Sequence, residues 1–238
     1  MKTHRFIGNF ALEDTRVDVS DPDLVHQIRD VLRLGPGEEI ILGNGKGGSV
    51  LVKIVELGPS GVVFETIRPI DENSEPVRRV VLFASIIKKD NFEFLVQKAT
   101  EAGASEIVPI ISERTVKLGL SVDRLKKIAK EAAEQSGRVT VTIIHEPRSL
   151  EESLTMADKL NLKLFFDGRG GNWQGKTILN RIGKKETIGV FVGPEGGWTE
   201  KEINLAKSLK FQLVSLGKLT LRAETAALIA VYLAANIE

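Results

Sequence analysis

Two segments near the carboxyl end carry residue types from which a ligand site could be built. Gly193-Pro194-Glu195-Gly196-Gly197-Trp198-Thr199 follows an apolar run, Thr187 to Val192, and precedes a helical pattern from Thr199 to Lys210. Further on stands Leu216-Gly217-Lys218-Leu219-Thr220-Leu221-Arg222-Ala223-Glu224-Thr225-Ala226. Gly193, Gly196 and Gly197 let a ligand touch the backbone, and Pro194 stiffens the entry. Thr199 caps the next helix, whose N-terminus offers N–H donors to a carboxylate or another polar group. Phosphate is disfavoured, because no lysine follows at P-loop spacing and Glu195 would repel it. Leu216 to Leu221 is mostly apolar with bare backbone, which suits a purine ring and a thioether. The plain alternative is two tight connections that use glycine for geometry alone. Arg222 and Glu224 tilt the reading toward function. An arginine at a helix start opposes the macrodipole, so Arg222 is hard to explain structurally, whereas Glu224 agrees with it and could be a simple first-turn carboxylate.

Such loops need strands to hold them. Hydrophobic patterning predicts strands at Val80 to Ser85, Glu106 to Ile111, Val139 to Ile144, Leu162 to Phe166, Thr187 to Val192 and Phe211 to Leu216. Helices are predicted at Asn91 to Ala102, closed by Gly103, at Asp123 to Gln135, closed by Gly137, and at Arg222 to Ile237. Ser149-Leu150-Glu151-Glu152 and Thr199-Glu200-Lys201-Glu202 are capping boxes that open two more. Alternation of this kind implies an α/β fold with a mostly parallel sheet covered on both faces. The first 70 residues differ. Short runs at Arg5-Phe6-Ile7, Glu38 to Leu42, Ser49 to Glu56 and Gly61 to Thr66 predict a small β barrel. One helix interrupts it, Pro22 to Arg33, opened by Asp21 as cap and Pro22 as first residue. The polar stretch Pro69 to Pro76 reads as a linker, dividing a domain of residues 1–72 from one of 73–238. Gly43-Asn44-Gly45-Lys46-Gly47-Gly48 fits a dinucleotide fingerprint, but a strand pattern follows where that motif needs a helix. It reads as a hairpin turn.

Composition narrows the chemistry. With 42% hydrophobic residues the chain can bury a large core, and with 5% aromatics that core is mostly aliphatic. It has no cysteine, which excludes disulfides and thiolate chemistry. His4, His26 and His145 lack ligand spacing, so no metal is expected. There is no apolar run long enough to span a membrane and no apolar leader at the start, so the expected setting is cytoplasmic. Residues 1–72 carry 8 Lys+Arg against 12 Asp+Glu, and the remainder 25 against 20. Any nucleic-acid binding must therefore come from local patches.

At the two carboxyl-terminal segments the chain resembles the RsmE-type 16S rRNA uridine N3-methyltransferases of the SPOUT superfamily. Further blocks match in order: Arg5-Phe6, His26 with Val31-Leu32-Arg33, Gln97-Lys98-Ala99-Thr100-Glu101, Ser112-Glu113-Arg114 and Glu131 to Arg138. Ala102, Trp198 and Ala223 depart from the family's usual leucine, phenylalanine and threonine, and none of these changes removes a charged or glycine position. The resemblance implies a PUA-like RNA-binding domain, a parallel α/β domain with a deep trefoil knot, and a homodimer. It implies S-adenosylmethionine as cofactor, held by Phe166, Asp167 and Gly168, by Gly193, Pro194, Glu195, Gly196 and Gly197, and by Leu216, Gly217, Leu219 and Leu221. The implied partner is 16S rRNA or the small ribosomal subunit.

The implied reaction joins a methyl group to an imide nitrogen, a poor nucleophile until it loses its proton. Arg222 is expected to stabilise the uridinate oxygens, and Glu224 or Glu195 to accept the proton. Arg5, His26, Arg33, Lys88, Lys89, Arg114 and Arg138 are the expected RNA contacts, although each arginine could equally be a surface ion pair and His26 could pack inside its domain. A ribose 2′-O-methyltransferase on the same scaffold and a non-catalytic RNA-binding module are the rival readings.

Overall fold

In β4 (Ser49–Leu57), Val50, Val52 and Ile54 are buried and the residues between them are not, as period-two alternation requires of a half-covered strand. The computed structural model describes residues 3–71, 74–115, 119–173 and 186–236. They fall into two units, 1–75 with 133–141, and 76–132 with 142–238.

In the first unit β1 (Arg5–Ile7), β2 (Arg16–Val19), β3 (Glu39–Gly43), β4 and β5 (Val62–Pro69) form one sheet in the order β1-β3-β4-β5-β2. β1 runs parallel to β3 and the other pairs are antiparallel. Phe6, Ile28, Ile40, Leu42, Val52, Ile54 and Phe64 are almost fully buried between the sheet and the helix, each contributing about 1.5–3 kcal/mol. The glycine-rich hexad is a hairpin turn, in which Asn44 Oδ1 accepts from the N–H groups of Lys46 (2.8 Å) and Gly48 (3.0 Å).

Two expectations need correction in this unit. α1 (Pro22–His26), capped by Asp21 as expected, continues as a π-helical turn over Gln27–Val31 and does not reach Arg33, which takes a φ of 56°. β2 was not expected. It is an edge strand of four residues, Arg16-Val17-Asp18-Val19, too short for its alternation to stand out.

The segment 133–141 is stitched into the same unit by an ion pair between the buried Arg138 and the half-buried Glu75. Arg138 Nη2 donates to Glu75 Oε2 at 2.6 Å, and Glu75 Oε1 accepts from the N–H groups of Val139 and Thr140 at 3.0 Å each. Burial pushes the Glu75 carboxyl up, but the hydrogen bond and charge of Arg138 outweigh it and hold the group below its ordinary value. Gly47 N–H donates to the Val139 carbonyl at 3.0 Å. The strand expected over Val139 to Ile144 shrinks to β8 (Ile143–Ile144) because the backbone before it is taken up by these bonds.

In the second unit β6 (Arg79–Ser85), β7 (Ala104–Ile111), β8, β9 (Arg148–Ser149), β10 (Leu162–Asn172), β11 (Thr187–Val192) and β12 (Gln212–Ser215) form an entirely parallel sheet among the described residues. The order is β12-β10-β11-β6-β7-β8, with β9 also on β7. The helices are α2 (Lys89–Glu101), α3 (Val122–Ser136), α4 (Leu150–Met156), α5 (Glu200–Ser208) and α6 (Ala223–Asn236). α6 packs on α2, β6 and β11. α4 and α5 bury Leu150, Leu154, Ile203 and Ala206 with an aromatic stack on the sheet. In that stack Phe83 lies 4.2 Å from Phe191, and Phe211 meets Phe191 edge-on at 5.1 Å. Both expected capping boxes form, at Ser149 and at Thr199.

β10 is longer than expected. Leu164 to Phe166 pair with Gln212 to Val214, Asp167 to Gly170 bulge out, and Gly171-Asn172 pair with Val214-Ser215. Gly170 makes this possible, because a Cβ there would lie 2.6 Å from the Val214 backbone.

Candidate active site

β11, β10 and β12 are neighbours and parallel, so their carboxyl ends open side by side. Ligands of open parallel sheets bind at such ends. Here the three following loops enclose a cavity of about 720 Å³. Phe166, Asp167 and Gly168 line it, with Gly193, Pro194, Glu195 and Gly197, and with Leu216, Gly217, Leu219 and Leu221. Of the residues expected to hold the cofactor, Gly196 alone does not line it.

Trp198 builds the back of the glycine loop. Its ring is buried, a Cβ on Gly193 would lie 3.0 Å from it, and its Nε1 donates to the Phe166 carbonyl at 3.1 Å. A side chain at Gly193 would press on this ring. Gly197 closes the turn at a φ of 67°, donating to the Pro194 carbonyl at 2.8 Å. Glu202 Oε2 accepts from Thr199 N at 2.7 Å, and Glu202 Oε1 from Glu113 N at 2.9 Å. Next to Glu113, Arg114 Nη1 donates to the Gly196 carbonyl at 2.5 Å. Glu113 and Arg114 thus hold the glycine loop to its own helix.

Asp167 is held by Arg169, whose Nε and Nη2 donate to its two oxygens at 2.7 and 2.9 Å. Burial raises the Asp167 carboxyl, but the Arg169 hydrogen bonds outweigh it and keep the group below its ordinary value. Arg169 also reaches the Trp198 carbonyl and Glu200, tying the β10 bulge to the start of α5.

A second cavity, of about 830 Å³, lies against Ile86, Ile87, Lys88, Asn91, Arg114, Gly196 and Glu224. The two cavities share Glu195 and Arg222. Arg222 and Glu195 are exposed, whereas Glu224 is only 8% exposed and its Oε2 is buried without a hydrogen-bond partner. Sequence reasoning missed Ile86, Ile87 and Asn91 here, and Asn172, Ser215 and Thr220 in the first cavity. The turn after β6 carries no glycine or motif that would have marked it.

The expected RNA contacts divide. Lys88 and Arg114 line the second cavity, and Lys89 is exposed at the start of α2. In the first unit Arg5 donates to Ser49 Oγ at 2.8 Å, Arg33 is exposed, and His26 Nδ1 lies 2.8 Å from Asp30 Oδ2. Arg138 needs correction. It is 4% exposed and paired with Glu75, so its charge is held inside the first unit and is not presented to a phosphate.

Among the described residues no cluster of His, Asp or Glu could hold a metal ion, and no helix is long and apolar enough to cross a membrane. The RNA methyltransferase domain family matches residues 73–235. The chain belongs to this family. Residues 21–67 match the RNA methyltransferase PUA domain. The ribosomal RNA small subunit methyltransferase E of Rickettsia conorii is 30% identical over 235 residues, covering 97% of this chain and 94% of that protein. Its Bacillus subtilis counterpart is 30% identical, with 87% and 84% covered. Among crystal structures, a ribosomal RNA small subunit methyltransferase E from Neisseria gonorrhoeae bound to S-adenosyl methionine superimposes with a TM-score of 0.84 at 32% identity, covering 97% of this chain and 95% of that one.

Proposed function

We propose that the chain transfers the methyl group of S-adenosylmethionine to N3 of a uridine in the 16S rRNA of the small ribosomal subunit. One observation carries this reading above the others: a cavity formed by three adjacent strand ends shares Arg222 and Glu195 with a second cavity that Glu224 lines. The residues present suit S-adenosylmethionine. Gly168, Gly193, Gly197 and Gly217 present bare backbone along the cavity, and Leu216, Leu219, Leu221 and Val192 supply apolar surface beside it. When bound, that cofactor supplies a methyl group already activated by its sulfonium.

The chain's own residues do the rest. The glycine loop and the Leu216 to Leu221 loop fix the donor, so that the reacting atoms meet in line. Arg222 stabilises the negative charge that develops on the uracil oxygens. Glu224 or Glu195 receives the N3 proton. Lys88, Lys89 and Arg114 contact the RNA backbone near this site, and Arg5, His26 and Arg33 do so from the PUA-like unit. The three parallel strand ends suit the knotted loop arrangement of the SPOUT superfamily. Homodimer formation accords with α2 and α6, which pack together and leave Phe94 and Tyr232 47% and 55% exposed. The site of action is the cytoplasm, where small subunits assemble.

The test is incubation of the protein with unmodified small subunits and methyl-labelled S-adenosylmethionine, followed by nucleoside analysis. The expected product is 3-methyluridine. A label on ribose 2′-oxygen, or none, would overturn the reading.

A further inference from the structure

Phe166, Asp167, Gly168 and Gly170 line the first cavity, and Arg169 among them does not. Its side chain reaches three partners instead. Nε and Nη2 donate to the two oxygens of Asp167, Nη2 also donates to the Trp198 carbonyl at 2.9 Å, and Nη1 donates to Glu200 Oε1 at 2.6 Å. The Arg169 main-chain N–H adds a bond to Asp167 Oδ1 at 2.9 Å. Both oxygens of Asp167, whose side chain is only 9% exposed, are thus engaged by one residue. A planar guanidinium can serve these partners at once, because its five donors sit in a fixed fork, and a lysine ammonium cannot.

These partners belong to different loops. Asp167 lies in the β10 bulge, Trp198 in the glycine loop and Glu200 in the first turn of α5. The ladder between β10 and β11 ends at Phe166 and Val192. Beyond it, Trp198 Nε1 on the Phe166 carbonyl and Arg169 Nη2 on the Trp198 carbonyl carry the connection across. Both loops are rich in glycine, with Gly168, Gly170 and Gly171 in or beside one and Gly193, Gly196 and Gly197 in the other. Glycine gives a ligand bare backbone, but it also leaves the backbone many conformations, and fixing them on binding costs entropy. A brace that orders both loops beforehand removes part of that cost.

We propose that Arg169 is a positioning residue for the cofactor, holding the Asp167–Gly170 bulge and the glycine loop at their working separation without touching the ligand. The inference rests on the methyl-transfer reading above and deepens it. The effect falls on cofactor affinity, because a bound cofactor holds the same two loops through its own contacts and transfer then proceeds as before. It is also blind to the charge on sulfur. S-adenosylmethionine carries one positive charge more than S-adenosylhomocysteine. If Arg169 acted by cancelling the charge of Asp167, its removal would bare a carboxylate in the cavity wall and favour the sulfonium over the thioether. Ordering of the loops weakens both ligands equally.

The experiment is calorimetric titration of the wild-type chain, Arg169→Ala and Arg169→Lys with S-adenosylmethionine and with S-adenosylhomocysteine, well below each chain's unfolding midpoint so that lost affinity is not lost fold. Single-turnover methylation of unmodified small subunits at saturating S-adenosylmethionine runs beside it. Arg169→Ala should weaken both ligands by the same factor, about 10-fold, the size of a coupling within one hydrogen-bond network. Its transfer rate at saturation should stay within about threefold of wild type, the mark of a lost binding contribution. Arg169→Lys should recover part of the affinity. Unchanged affinity in Arg169→Ala, a loss confined to the rate, or a gain of the sulfonium over the thioether overturns the inference. Should Arg169→Ala fail to fold, Arg169→Lys decides by the same titrations: equal weakening of both ligands supports the inference, and wild-type affinity overturns it. If the wild-type chain binds neither ligand, the methyl-transfer reading falls and this inference with it, whereas a failure confined to the variants leaves that reading standing.

Discussion

The indole N–H of Trp198 donates to the main-chain carbonyl of Phe166 at 3.1 Å, joining the end of β10 to the loop that follows β11. Both partners are buried. A phenylalanine could fill most of the same space but could not make this bond. Trp198→Phe should therefore lose this buried hydrogen bond and cost about 0.5–1.5 kcal/mol. Urea denaturation should show the loss, and calorimetry should show weaker S-adenosylmethionine binding, because the two loops it joins line one cavity.

Arg222 lies where the two cavities meet. Arg222→Ala should lower single-turnover methyl transfer by about 100- to 1000-fold while changing cofactor affinity far less. An equal loss in both would assign Arg222 to holding the cofactor and not to the developing charge.

Gly170 sits where any Cβ would press on the Val214 backbone at 2.6 Å. Since backbone cannot yield as a side-chain tip can, Gly170→Ala should cost about 1–3 kcal/mol. Thermal unfolding checks this. Gly171, next in the chain, has nothing within 4 Å of such a Cβ, so Gly171→Ala should cost much less.

Arg138 is buried against the half-buried Glu75, so removing the arginine costs Glu75 its 2.6 Å charge-assisted hydrogen bond. Arg138→Ala should destabilise the chain by about 1–3 kcal/mol. The pair also sets a pH dependence. The Glu75 carboxyl lies below its ordinary 4.5 in the folded chain, so the unfolded chain binds the proton more tightly. The stabilisation is complete above pH 4.5 and is lost as pH falls through the lower folded value. Urea midpoints of wild type and Glu75→Gln should differ at neutral pH and converge on acidification below that range.

Features that depend on local chemistry were legible in the sequence. β11 matches the apolar run Thr187 to Val192, and the capping boxes at Ser149 and Thr199 form as written. Gly103 and Gly137 close α2 and α3 with positive φ. Features that depend on distant partners were not. The bulge in β10 requires Val214 of β12, and the burial of Arg138 requires Glu75, 63 residues earlier. The second cavity brings together Ile86, Arg114, Gly196 and Glu224 from four separate loops and helix ends, none of which marks a cavity alone. The loss of strand at Val139 to Thr142 has the same cause, since hydrophobic alternation cannot reveal that the backbone is bonded to Glu75 and Gly47.

The most direct measurement is a crystal structure of the chain soaked with S-adenosylmethionine. Density should lie between the 193–197 and 216–221 loops, with the sulfonium methyl directed toward the space beside Arg222 and Glu224. Loops closed on each other with side chains filling that space, or cofactor bound elsewhere, would contradict it.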